Sequence, residues 1–250
     1  MSVFSPRRSW RWFCATFRLF AQRSFLLLTA MMCFFLLALE IRHAPYVGHL
    51  LPHLLWACLV VSMANLALSP RPSLMDVVRP VRERFLPLAG LALLLLCYAA
   101  LALRLLTQID PEFIYGLLQR NPDFLRMGGE EYRAPALRLL LLFIPFFMAQ
   151  WFTPMLIVWR RYSIGKALFF NFVAIGRNWR DVLLVFLMFN ALTLGLFFLI
   201  ALFPIVNVNL SASLAGFIMI IGSALHLCFL CVLYQDFFPA EKRAHISEHA

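Results

Sequence analysis

An all-α membrane bundle of six spanning helices, with amphipathic helices lying along one membrane face, is predicted by three observations. First, 63% of the 250 residues are hydrophobic and the mean hydropathy is +0.83, whereas a soluble domain is roughly 45–50% apolar. Second, apolar runs near the roughly twenty residues needed to cross a bilayer recur six times. Third, the net charge of +10 sits between those runs. Charged residues make up only 14% of the chain, too few to clothe a soluble globule of this length. The basic excess therefore points to membrane orientation and anionic headgroups as partner, and not to nucleic acid. A single membrane domain covers 1–250.

Residues 9–24 read as an interfacial helix. Trp10, Phe13, Phe17 and Phe20 recur at helical spacing with Cys14 and Ala21, and Arg11, Arg18 and Gln22 lie opposite. Arginines with tryptophans suit the headgroup layer. The first span is 25–41 and the second 47–68, with Pro52 near its start. The polar connection after it holds a short helix. Ser73 and Asp76 resemble a capping box, Leu74, Val77, Val78, Val81 and Phe85 form an apolar stripe, and Pro80 should kink or divide the helix.

The third span is 87–105. An outer loop covers 106–136, in which Asp110-Pro111 starts a short helix and Asn121-Pro122 stops it. The fourth span is 137–159 and includes Pro145, Gln150 and Pro154. The fifth is 182–203 and the sixth 214–234, followed by a polar, mobile tail over 235–250.

Arginine and lysine set the orientation. With the N-terminus inside, 16 of the 22 basic residues lie on the inner side and 6 on the outer. The positive-inside rule then puts both termini in the cytoplasm. The six cysteines imply no disulfide framework: all but Cys14 fall in apolar runs, and Cys228 and Cys231 read as small core residues despite their spacing.

Three inner segments share one layout: FRLFAQRSF (17–25), VVRPVRERF (77–85) and FVAIGRNW (172–179). Each has an apolar-striped helix, then a basic residue beside an aromatic (Arg23, Arg82 and Arg177), then a span. Three pseudo-repeats are expected, over 9–68, 73–159 and 163–234, the second carrying the outer loop. The third inner helix is the best defined. Ile164, Leu168, Phe172, Ile175 and Trp179 form one stripe. Ala167, Asn171, Ala174 and Asn178 form a narrower one, where small residues permit close approach and asparagines can bond across it.

The strings WFTPMLIVW, KALFF and GRNWR, between Gln150 and Leu184, resemble an uncharacterised family of proteobacterial multi-pass inner-membrane proteins. More remotely, the layout of interfacial helix plus hairpin is similar to the membrane domain attached to some glycerophosphodiester phosphodiesterases. The resemblance implies a bacterial inner-membrane location. It brings no activity and no catalytic residues, and no phosphodiesterase domain is present.

Candidate chemistry is sparse. Glu40, His43, His49 and His53 cluster at the outer end of the first hairpin and could offer metal ligands, although interfacial exposure explains them equally. Glu40 reads as the only acid inside or at the edge of an apolar run. Gln150, Asn190 and His226, with Asn65, Thr193 and Ser223, could line a polar path or merely bond between helices. Trp10, Arg11, Arg18, Lys166, Arg177, Trp179 and Arg180 are the membrane-interface residues. No cofactor or catalytic motif is found.

The reading is a non-enzymatic inner-membrane protein that organises lipid or partner proteins through its basic, aromatic helices. The alternative is a small-molecule or ion transporter or channel, which requires Gln150, Asn190 and His226 to converge on one wet cavity.

Overall fold

A computed structural model describes residues 6–41, 50–69, 74–118, 133–201 and 208–239. Among them every regular element is a helix, and six segments are long and apolar enough to cross a membrane. The chain is an all-α, multi-pass membrane protein. The helices in order are α1 (Pro6–Ile41), α2 (Leu50–Leu68), α3 (Leu74–Glu83), α4 (Phe85–Ile109), α5 (Pro111–Leu118), α6 (Arg133–Ala149), α7 (Thr153–Trp159), α8 (Ile164–Arg177), α9 (Trp179–Ala201) and α10 (Val208–Phe237).

Amphipathic segments meet spans at one-residue junctions. Inside α1 the bend falls on Arg23, at φ −134°, ψ 16°. Between α3 and α4 it falls on Arg84, at −119°, 22°. Between α8 and α9 it falls on Asn178, at −121°, 19°. The Arg84 and Asn178 N–H groups close back three residues, on Val81 and Ile175, and their carbonyls receive Leu88 and Val182. A single residue in this sparsely populated backbone region turns the chain without leaving its polar groups unbonded.

Burial repeats around these junctions. Four residues after them stand Leu27, Leu88 and Val182, all in the core. Eleven and seven residues before them, α1 buries Trp12 and Thr16, and α8 buries Ala167 and Asn171. The equivalents of Arg23 are thus Arg84 and Asn178. The alignment of Arg23 with Arg82 and Arg177 is corrected by two residues and by one, because the bend follows the change in backbone hydrogen bonding and not the basic side chain.

Each amphipathic segment packs on the last span of the unit before it. Helix α3 lies on α2, α8 lies on α6 and α7, and the first part of α1 lies on the end of α10. The last of these contacts joins the first unit to the third and closes a ring. Gly90 of α4 lets α8 come close, since a Cβ there would stand 3.0 Å from Ile164 Cδ1.

Several expectations change. The buried face of α1 before its bend is Ser9, Trp12 and Thr16, while Trp10 and Cys14 are exposed. Phe13 and Phe17 flank that face and pack on Phe189 of α9. Helix α3 runs through Pro80 unbroken and ends one turn later. The third span is longer than 87–105, because α4 runs from Phe85 to Ile109. The tail is ordered through Phe237 at its start, since α10 continues that far. Helix α5 does start at Pro111, and Arg138 of α6 holds the Asp110 carboxylate with both oxygens at 2.8 Å. The Asn121-Pro122 stop lies outside the described residues.

Candidate functional site

The fourth span is not one helix. Helices α6 and α7 are separated by a turn at 150–152. Pro154 has no N–H, and its ring would crowd the Gln150 carbonyl in a continuous helix. In the first turn of a new helix neither penalty arises, and α7 starts so that Pro154 falls there. Pro145 sits inside α6 without breaking it.

The break exposes backbone groups that need partners. The N–H groups of Gln150 and Trp151 turn back three residues, onto Phe147 and Met148. The Phe152 N–H donates instead to Asn171 Oδ1 at 3.2 Å. Asn171 Nδ2 donates to the Met148 carbonyl at 2.8 Å. Asn171 is wholly buried, and its amide uses one N–H and its oxygen here, as a peptide group would. Helix α8 thereby clips the broken span from the side. Helix α7, between these contacts and the centre, is buried from Thr153 to Val158.

The end of α7 is also unusual. Arg161 takes a left-handed backbone, φ 52°, where glycine is the ordinary residue. The Tyr162 N–H then reaches the Leu156 carbonyl at 3.3 Å. Arg160 donates to the carbonyls of Phe238 and Pro239, and Arg23 donates to the Ser69 carbonyl at 2.7 Å. Both guanidiniums satisfy carbonyls just past a helix C-terminus, where the macrodipole is negative.

A polar clamp joins three elements at the same end. Arg8 donates through Nε and Nη2 to Asp236 Oδ2, at 3.1 and 2.5 Å. Its Nη1 donates to Asn178 Oδ1 at 3.0 Å. Its guanidinium lies over the Trp12 ring at 4.7 Å. Beside it Ser9 Oγ donates to Asp181 Oδ1 at 3.2 Å. Asp181 is buried in the first turn of α9, where a helix favours negative charge. The expectation that Glu40 is the only acid inside or at the edge of an apolar run is corrected here: Asp181 stands one residue before the fifth run and is buried.

Asn65, Trp159 and Tyr234 come from the last spans of the three units and meet near this end. Trp159 Nε1 donates to Asn65 Oδ1 at 3.0 Å, and the Trp159 and Tyr234 rings are 4.9 Å apart.

Around the residues proposed for a polar path, Trp151 beside Gln150 lies 5.9 Å from His226 and 6.3 Å from Phe186, whose carbonyl Asn190 meets. Asn190 is exposed and donates within its own helix to the Phe186 carbonyl at 2.7 Å. His226 is ringed by Trp151, Phe186 and Phe229, with centroids 5.9–6.5 Å away. Gln150 lies in the α6–α7 turn, half-buried. Among the described residues no hydrogen bond joins any two of them. Thr193 likewise bonds within its helix, to Phe189.

Of the metal candidates, His53 meets Phe146 edge-on at 5.4 Å. His43, His49 and the Glu40 side chain lie outside the described residues. Among those described, no three His, Cys, Asp or Glu groups stand close enough to hold a metal ion. Cys228 and Cys231 are buried in the core.

Trp10, Arg11, Arg18, Lys166, Arg177, Trp179 and Arg180 are all exposed. Lys166 Nζ lies 4.3 Å from the Tyr162 ring, and Arg180 lies 5.4 Å from that of Trp179. Sequence reasoning assigned no partner to Arg8, Asp236 or Asp181, because their partners are far along the chain. Asn171 had a local signal, its place in the stripe of small residues, but its target was not evident.

Comparison with known protein families, with curated proteins and with solved structures finds no match.

Proposed function

We propose that this chain is a non-enzymatic, non-conducting protein of a bacterial inner membrane. It organises lipid or partner proteins through the amphipathic segments at its basic end, with both termini on the cytoplasmic side. The observation that carries this reading is that two of the polar groups within the spans are engaged by helix backbone and aromatic rings. Asn190 is satisfied by its own helix, and His226 is packed among rings. The ring of amphipathic segments instead presents cations and aromatics outward. The excess of basic residues at that end supports the orientation.

A second reading, a transporter or channel, draws on one feature. Broken spans recur where transporters hold substrate, and Thr153 Oγ1 at this break is buried without a partner.

Proteoliposome flux separates the two. The full chain should leave small-ion and small-solute leakage at the level of empty vesicles. Flux that is lost in His226→Leu or Thr153→Val, with the fold intact by circular dichroism, would overturn the non-conducting reading.

A further inference from the structure

The outward faces of the amphipathic segments differ in a way that sorts the three units. At ~100° of rotation per residue, positions twelve and five before a junction share one stripe. That stripe stands about a third of a turn from the buried positions at eleven and seven. On α1 it holds Arg11 and Arg18, with Arg7, Trp10 and Cys14 beside it; on α8 it holds Lys166 and Val173, flanked by Phe169 and Phe170. All of these residues are exposed, Trp10 at 57% and Phe169 at 63%.

A face that mixes cations with large apolar groups suits neither water nor acyl chains alone. It suits the boundary between them, where phosphate meets the upper acyl carbons. Pro6, Arg7, Trp10 and Arg11 also line a shallow concavity. Two guanidiniums one turn apart can share the oxygens of one phosphate, with the indole lying against the glycerol and upper chain.

Helix α3 is different. Its Arg79, at the position equivalent to Arg18, donates to Glu83 at 3.0 Å. Among the described residues, Arg7, Arg11, Arg18 and Lys166 have no carboxylate within ion-pair distance. The unit geometry is thus repeated, while the cation on this stripe is left available in the first and third units and engaged in the second, where the exposed Arg82 lies off the stripe.

We propose that the outward faces of α1 and α8 bind the headgroup phosphates of acidic phospholipids, with Arg7, Trp10 and Arg11 as the principal seat, and that the paired Arg79 of α3 does not. This rests on the reading above that the amphipathic segments are the working surface. The occupant is a lipid and not a free anion, because the cations are interleaved with exposed apolar side chains.

The full chain, purified in a neutral detergent, is titrated with short-chain phosphatidylglycerol, phosphatidylcholine or inorganic phosphate, and lipid binding is read by native mass spectrometry and thermal shift. Phosphatidylglycerol should bind and stabilise, while phosphatidylcholine and phosphate should do so weakly. With ~1 kcal/mol per basic residue near an anionic surface, Arg11→Gln or Lys166→Gln should weaken binding about fivefold. Arg7→Gln combined with Arg11→Gln should weaken it more than twentyfold, and Arg79→Gln should change it less than twofold.

Equal binding of the two lipids overturns the proposal, as does a phosphate response matching that of phosphatidylglycerol. So does a loss in Arg79→Gln equal to that in Arg11→Gln. An acidic protein that co-purifies and is released by Arg11→Gln, with lipid binding unmoved, overturns it too. Flux through the bundle with these preferences intact would remove the non-conducting reading and leave the lipid sites standing.

Discussion

At the scale of single residues, the amide of Asn171 does for the break at 150–152 what a continuous helix would do with its own backbone. One oxygen receives the Phe152 N–H and one nitrogen serves the Met148 carbonyl. Interhelical hydrogen bonds in membranes contribute about 0.6 kcal/mol on average, because unpaired groups find other partners. Here Pro154 hinders rejoining of the helix, so the cost of leaving the buried Phe152 N–H without Asn171 moves toward the full penalty, about 1–3 kcal/mol, while the Met148 carbonyl keeps the Trp151 N–H. Asn171→Leu should therefore destabilise the purified protein by about 2–3 kcal/mol, measured by thermal or denaturant unfolding in detergent. Pro154→Ala restores the missing donor, and the same substitution in that background should cost only about 1 kcal/mol. Strictly additive effects of the two substitutions would show that the proline and the asparagine are unrelated.

At the scale of elements, the junction is the repeated device. Arg23, Arg84 and Asn178 share a backbone conformation although their side chains do different things. Arg23 holds the Ser69 carbonyl, and Asn178 receives Arg8. What the junction fixes is phase: it sets Leu88 and Val182 inward at the start of each span. One alanine inserted after Asn178 would turn α9 by ~100°, carrying Val182 and Val185 off the core and putting Asp181 and Leu184 in their places. That insertion should lower stability by several kcal/mol, on the scale of burying about two aliphatic side chains, and yield of folded protein by size-exclusion should fall sharply. One alanine inserted after Phe238, beyond the end of α10, should not. The six spans were legible in the chain because hydropathy and length decide them directly. The junction phase was not, since Arg82 and Arg177 look as much like Arg23 as the true equivalents do. The break at 150–152 was hidden for a related reason: Pro145 and Pro154 look alike in sequence, and only the second coincides with a break and with an amide waiting on α8. The buried face of α1 was misplaced because Trp10 and Trp12 are both aromatic, and only the neighbouring α10 selects Trp12.

At the scale of the whole molecule, closure of the ring depends on residues at opposite ends of the chain. Arg8 and Asp236 lie 228 positions apart, and no local pattern announces such a pair. The contact sits where α1, α10 and the α8–α9 junction meet, so its loss should be felt by all three. The ion pair is partly exposed, 27% at Arg8 and 42% at Asp236, which by itself argues for a small contribution, about 1 kcal/mol or less. The guanidinium also serves Asn178 and stacks on Trp12, and neither role survives its removal. Arg8→Gln should thus cost more than Asp236→Asn, by about 1 kcal/mol, when both are measured by unfolding of the detergent-solubilised chain. The exchange Arg8→Asp with Asp236→Arg restores opposite charges but not the Asn178 bond or the stacking, so it should recover only part of the loss. Full recovery would mean that charge attraction alone closes the ring. Equal cost for the two single substitutions would mean that Asn178 and Trp12 contribute nothing to it.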